Sequence, residues 1–252
     1  MSPYTIVSGD TLDAIANGHG IQLQDLLNAN TYIDPNNLQL GQGINIPDGS
    51  GPVPRTGNGG GDSIPGYQGG SGGGGGYEQY SGPASSFPDR GSWASYDFLW
   101  QSNERLMKFH DSDEEIGFVR TAIMTVATEA GVDIRAILCI VVQESGGNVR
   151  ITSTNNGINN PGLMQSHNGV SFDPNDPQGS ILQMVRDGTT GTGSGDGLKQ
   201  CIDKSGGSYY EAFRMYNSGS VNHDDMNDPV GATASYVRDA ANRLMGHEWD
   251  GM

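Results

Sequence analysis

A carboxyl at the closing turn of an apolar helix is the residue in this chain best placed to do chemistry. Glu144 follows Ile137-Leu138-Cys139-Ile140-Val141-Val142-Gln143 and precedes Ser145-Gly146-Gly147. Apolar neighbours on one side would desolvate it and raise its pKa. The negative end of the helix dipole pushes the same way. A carboxylic acid kept protonated near neutral pH can give its proton to the leaving oxygen of a glycosidic bond. The glycines that follow leave the backbone open to a bulky ligand. Taken alone, Glu144 is more simply read as a surface residue in a last helical turn.

Two further signatures change that weighting. Gly162-Leu163-Met164-Gln165 reads as a loop in which Gln165 could hydrogen-bond sugar amides and hydroxyls. Tyr216-Asn217, in Met215-Tyr216-Asn217-Ser218-Gly219, ends a helix and could present an aromatic face and an amide to the same cleft. Singly, Met164 reads as core and Tyr216 as a half-buried helix residue. A second catalytic group is harder to find. His167, Asp173 and Asp176 are the candidates, and His167 also reads as a polar loop residue. Cys139 and Cys201 have no metal-ligand spacing. They read either as one structural disulfide or as two buried thiols acting as small hydrophobes.

The elements that must position these residues are mostly helical. Tyr96, Leu99, Trp100, Met107 and Phe109 predict a first helix. Glu114–Ala130 predicts a second, stopped by Gly131. Asp133 caps the third, which carries Glu144. Asp176-Pro177 opens a helix expected to end at Gly188, with Pro at the first helical position. Leu198–Lys204 is short. Ser208 with Glu211 is a capping box for the next helix. Asp228-Pro229 is expected to open the last, through Tyr236, Val237 and Leu244. Residues 151–172 hold short strands or only loops.

The N-terminus is a separate unit. Tyr4–Val7 reads as a strand, Ser8-Gly9-Asp10 as a turn, and Leu12, Ile15 and Ala16 as one helix. Leu23, Leu26 and Leu27 mark a second helix, and Gly43–Ile46 a returning strand that Pro47 ends. The order is β-α-α-β. Residues 49–92 are rich in Gly, Pro and Ser, with an unbroken Gly72–Gly76 run, and predict a flexible linker.

Composition bounds the partners. Thirteen Lys and Arg against 29 Asp and Glu give a net charge of −16. That excludes the basic footprint of nucleic-acid or anionic-membrane binding. No apolar run is long enough to span a bilayer. Met1-Ser2-Pro3-Tyr4 enters a folded unit almost at once, and the sequence is read as a mature secreted chain. No cofactor, nucleotide loop or metal site is expected.

From Trp93 to Gly246 the sequence resembles the goose-type lysozyme and soluble lytic transglycosylase group, glycoside hydrolase family 23. The shared pattern is Glu144-Ser145, then Gly162-Leu163-Met164-Gln165, then Tyr216-Asn217-Ser218-Gly219. The resemblance implies a mainly α lysozyme-like catalytic domain over residues 93–252. It implies a muramidase cleaving the β-1,4 bond between N-acetylmuramic acid and N-acetylglucosamine of bacterial peptidoglycan. Glu144 is then the general acid, and Ser145, Met164, Gln165, His167, Tyr216 and Asn217 form the substrate-binding set. Goose-type hydrolases carry an Asp where this chain has His167, which leaves open intramolecular attack by the sugar 6-hydroxyl, giving a 1,6-anhydro product. A chitin-cleaving enzyme and a non-enzymatic wall binder are the rival readings.

Residues 4–47 resemble the LysM domain, on Tyr4-Thr5-Ile6-Val7-Ser8-Gly9-Asp10-Thr11-Leu12, Leu26-Leu27-Asn28-Ala29-Asn30 and Leu40–Pro47. The resemblance implies that residues 1–48 are a small α+β (β-α-α-β) binder of N-acetylglucosamine oligomers, peptidoglycan or chitin. Its groove would be formed by Gly9, Asp10, Thr11 and Leu12 on one side and Asn30, Thr31, Tyr32 and Ile33 on the other.

Overall fold

The structure is a computed structural model. It describes residues 2–7, 10–12, 15–16, 19, 21, 26–27, 29–30, 33, 38–39, 41–47, 64–67, 70, 74–155 and 157–249. The chain divides into two compact units, Met1–Ser63 and Ile64–Met252.

In the first unit, strand β1 (Ser2–Thr5) pairs antiparallel with β2 (Gly43–Ile46), with Ser2 opposite Ile46 and Thr5 opposite Gly43. The strand begins two residues before the expected Tyr4. Helical backbone occurs at Leu12, Ile15–Ala16 and Leu26–Leu27. Leu12, Ile15, Ala16, Leu26, Ile33, Ile44 and Ile46 are all buried in one small core.

The second unit is a helical assembly. Its α-helices are α1 (Tyr96–Met107), α2 (Asp113–Ala130), α3 (Ile134–Ser145), α4 (Pro177–Thr190), α5 (Leu198–Lys204), α6 (Tyr209–Ser218) and α7 (Tyr236–Leu244). A small hairpin, β3 (Thr154–Asn155) with β4 (Asn159–Asn160), lies between α3 and α4. Helix α3 is apolar on every side over Ala136–Val142 and almost wholly buried, as a central helix must be. It packs against α1, α2, α4 and α7. Asp133 caps its start by accepting from the Arg135 N–H at 3.0 Å. Gly146 ends it in the left-handed conformation.

Three expectations are corrected, and the open choice between a disulfide and two thiols is settled for the thiols. Residues 64–92 are not free linker but part of the helical unit: Ile64, Tyr67 and Phe87 are buried. The Ile134 N–H donates to the Pro65 carbonyl at 2.8 Å, and a Cβ on Gly66 would lie 2.0 Å from Asp133 Oδ1. Farther along, the Glu78 backbone makes two hydrogen bonds with the Asn242 side chain on α7, at 2.7 and 2.9 Å. The segment's glycines suggest a coil, but its aromatic residues supply the apolar surface that offsets the ordering entropy. Residues 51–63, including Pro52 and Pro54, lie outside the described residues, as do Gly72 and Gly73.

Helix α4 runs past Gly188 to Thr190, because the Met164 side chain packs on that glycine and a Cβ there would lie 2.3 Å from it. Helix α7 starts at Tyr236 rather than at Pro229. Val230 and Gly231 have positive φ (45° and 90°), which no right-handed helix accommodates. Cys139 and Cys201 are free buried thiols, not a disulfide, and the Cys139 thiol donates to the Ala240 carbonyl at 3.5 Å.

Candidate functional site

Glu144 sits in the last turn of α3 and is half-buried. Burial raises its carboxyl and a hydrogen bond from Tyr236 pulls it partly back, leaving it at about 7 against the ordinary 4.5. The Tyr236 hydroxyl, on the first residue of α7, donates to Glu144 Oε1. Tyr236 is only 3% exposed, and burial, with the Glu144 charge beside it, holds its phenol well above 10. A carboxyl with one apolar wall, one phenol donor and a pKa near 7 is half protonated at neutral pH. That is the range in which a general acid is most effective.

Tyr216 stands close to the same pair. Burial raises its phenol well above 10, and the Glu144 charge raises it further. Its hydroxyl donates to the Met164 carbonyl at 2.7 Å, tying α6 to the loop before α4. Gln165, next in that loop, has φ of 49°, a strained setting for a side-chain-bearing residue. Its amide holds the loop: Nε2 donates to the Gly162 carbonyl at 3.1 Å, and Oε1 accepts from the Thr154 N–H at 3.0 Å. Asn217 Oδ1 accepts from Arg214 and from the Thr233 N–H at 3.1 Å. Arg214 is fully buried, donates to the Thr233 carbonyl at 3.0 Å and lies 5.9 Å from the Tyr236 ring centroid. It thereby fixes the start of α7, and with it Tyr236.

Several expected roles change. Met164 is fully buried, so only its carbonyl takes part in the site. The Ser145 hydroxyl donates to the Val141 carbonyl at 2.8 Å and accepts from the Gly147 N–H at 3.1 Å, so it shapes the turn after Glu144. His167 is exposed, and its ring stands where a Cβ on Gly195 would be, 2.6 Å from Nδ1. Asp173 Oδ1 accepts from the Asn175 N–H at 2.8 Å, and Asp176 Oδ1 accepts from the Gly179 N–H at 3.1 Å as a helix cap. Asp173 and Asp176 are thus engaged locally, whereas His167 offers its backbone carbonyl to the Thr192 hydroxyl at 2.6 Å.

A cavity of about 230 Å³ opens beside Glu144, walled by Phe109, His110, Ile151, Arg243 and Trp249. Gln165, Tyr216 and Asn217 do not line it, contrary to the single cleft expected from sequence. Glu144 is instead the junction, with the cavity on one side and the Tyr236–Tyr216 pair on another. Tyr236, Arg214, Arg243 and Trp249 carry no local signal in the sequence. They reach Glu144 or its cavity only because α7 packs on both α3 and α6. Among the described residues no group of three or more His, Cys, Asp or Glu could hold a metal ion.

In the N-terminal unit the expected groove residues separate. Asn30 is 2% exposed and acts as a clamp. Its Nδ2 donates to the Leu26 and Asn45 carbonyls and its Oδ1 accepts from the Asn45 N–H, each at 2.7 Å. Leu12 and Ile33 are buried in the core, so their side chains form no open groove. Asp10 Oδ2 accepts from the Tyr4 hydroxyl at 2.9 Å and the Val7 N–H at 2.8 Å, closing the turn after β1. Thr11 is half-buried, and its carbonyl accepts from the Ile15 N–H at 3.0 Å. Gly9, Thr31 and Tyr32 lie outside the described residues.

Comparison with known proteins identifies this first unit. Residues 4–47 match the LysM domain family, and the chain carries a LysM domain there. Over 44 residues it is 48% identical to Intracellular hyphae protein 1 of Colletotrichum lindemuthianum, a match covering 18% of this chain and 19% of that protein. Over 44 residues it is 50% identical to Secreted LysM effector ELP2 of Colletotrichum higginsianum, covering 18% of this chain and 25% of that one. The chain therefore spans a quarter or less of these relatives' own length. No solved structure matches the chain.

Proposed function

We propose that the helical unit is a muramidase of the lysozyme and lytic transglycosylase type, and that the LysM domain holds it on an N-acetylglucosamine-containing wall. The observation that carries the reading is the Glu144 carboxyl, poised near pKa 7 beside a cavity and held by Tyr236. In this reading protonated Glu144 gives its proton to the glycosidic oxygen as the bond from the anomeric carbon to that oxygen breaks. The resulting carboxylate keeps the Tyr236 hydrogen bond, which stabilises its charge. A nucleophile then attacks the anomeric carbon and returns a proton to Glu144.

With Asp173 and Asp176 engaged locally, and His167 like them outside the lining of the cavity beside Glu144, the sugar's own 6-hydroxyl is the favoured nucleophile, and the product carries a 1,6-anhydro ring. Water attack would give the hydrolytic product instead. The printed name of the Colletotrichum higginsianum relative supports a secreted location. It also favours a second reading, a sugar-binding effector without turnover.

The test is release of soluble muropeptides from purified peptidoglycan by wild type and Glu144→Gln, read by mass spectrometry. Wild type is expected to release fragments lighter by one water than hydrolytic ones, and the variant about a hundredfold fewer, the lower end of what general acid catalysis contributes. Equal release by both refutes the role given to Glu144. Binding to the wall with no release by wild type supports the effector reading. Release from chitin but not from peptidoglycan would make the enzyme a chitinase.

A further inference from the structure

We propose that the cavity beside Glu144 takes a carboxylate-bearing amino-sugar unit, recognised by Arg243. The proposal rests on the muramidase reading of Glu144 and adds to it the chemical feature that selects the substrate. Arg243 lies near the end of α7 and is 9% exposed, yet it lines the cavity. An arginine stays charged in proteins. Among the described residues no carboxylate lies within 4.0 Å of its guanidinium, so no ion pair neutralises it. Asp239, one turn earlier on α7, favours its charge from a distance but forms no ion pair with it, and a buried charge without a paired counter-charge is costly to hold.

What the protein supplies instead is orientation. Arg243 Nε donates to Gln143 Oε1 at 2.8 Å, and its guanidinium carbon lies 4.0 Å from the Trp249 ring centroid. Those two contacts fix the guanidinium plane, and among the described residues they use one of five N–H donors. A fixed planar fork with its remaining donors unspent suits a carboxylate, which it can grip through two parallel hydrogen bonds.

The rest of the cavity fits a sugar. Phe109 is 75% exposed and Trp249 half-buried, so two aromatic rings offer apolar faces beside the charged group. A volume of about 230 Å³ is small beside the roughly 300–1,000 Å³ of drug-sized pockets and suits one sugar-sized group. The net charge of −16 gives the chain no long-range attraction for an acidic polymer. Discrimination for acid must therefore be local, and Arg243 is where it sits. Units of chitin lack a carboxyl and leave this charge unmatched. On a wall polymer the carboxylate has two sources, the lactyl group of a muramic unit or the acidic end of an attached peptide.

The test is binding to the full chain, by calorimetry, of N-acetylmuramic acid and its neutral methyl ester. The wild type is expected to bind the acid about tenfold more tightly, a difference of about 1.4 kcal/mol. Arg243→Met should erase the preference, and Arg243→Lys should keep only part of it, because a point charge replaces a fork. Trp249→Phe, a milder change, should narrow the preference if the Met variant does not fold. Muramyl dipeptide against its carboxyl-terminal amide separates the two sources: a preference there assigns the carboxylate to the peptide. Equal affinity of the folded wild type for acid and neutral form in both pairs overturns the proposal. The preference should survive Glu144→Gln, so failure of the muramidase reading and failure of this one give different results.

Discussion

Removing one hydroxyl should move the acid–base behaviour of the whole site. Tyr236→Phe keeps a buried ring of nearly the same volume and deletes only the donor that reaches Glu144 Oε1. Two opposed effects set the Glu144 value: burial raises it and this hydrogen bond lowers it, leaving about 7. A hydrogen bond to a charged group contributes roughly 1.5–3 kcal/mol, and 1.36 kcal/mol corresponds to one pKa unit. Glu144 is only half-buried, so the lower end applies and the carboxyl should rise by about one unit. Glu144 acts as the protonated acid, so the alkaline limb of the activity profile should move up by the same amount. The assay is muropeptide release from peptidoglycan between pH 5 and 9, with melting at pH 5 to establish that the variant is folded. An alkaline limb that stays put, or moves down, would refute the account of how Tyr236 and burial oppose each other.

Three further outcomes follow from the same geometry. Glu144 has a folded value of about 7 against 4.5 for the exposed group, so the folded state binds more protons between those limits and loses stability as pH rises through them. Glu144→Gln should therefore melt higher than wild type at pH 8, by about 1–2 kcal/mol after discounting for partial exposure, and should show no such gain at pH 4; an equal gain at both pH values would remove the buried-proton argument. Gly66→Ala places a Cβ 2.0 Å from Asp133 Oδ1 at φ of 80° and should cost the helical unit about 2–3 kcal/mol in denaturant unfolding, with the LysM transition unmoved. Asn30→Ala removes three buried or half-buried side-chain hydrogen bonds, to the Leu26 carbonyl and to the Asn45 carbonyl and N–H, and should destabilise the LysM unit by about 2–3 kcal/mol, which calorimetry of the full chain would resolve.

What the sequence revealed of this fold was its local part. The apolar run before Glu144, the Asp133 cap of α3 and the Gly131 stop of α2 are all read within a few residues of themselves, and the structure contains them. The start of α7 was misplaced because Asp228-Pro229 imitates a helix opening. In the structure the Asp228 carboxylate instead accepts from the Val230 N–H at 3.1 Å and from Asn222 at 2.9 Å. Gly188 was misread as a stop because nothing nearby announces that Met164 will rest on it. The LysM unit shows the same limit: its pattern is legible, yet Asn30, read as a groove residue, turns inward to fasten β2. Tyr236 was invisible as a partner of Glu144 for the plainest reason, since 92 residues separate them. Contacts of that range depend on how helices stack, and helical periodicity carries no record of it.

The segment from Ile64 to Ser92 has a practical consequence for anyone trimming this protein. A fragment begun at Trp93, where glycine content falls, would strip Asn242 of its Glu78 partners, Asp239 of the Tyr77 hydroxyl and Tyr210 of the Pro88 carbonyl. Two of those three residues lie on the helix that begins with Tyr236. Shortened versions should keep everything from Ile64 onward, or the missing cover will be mistaken for a missing enzyme.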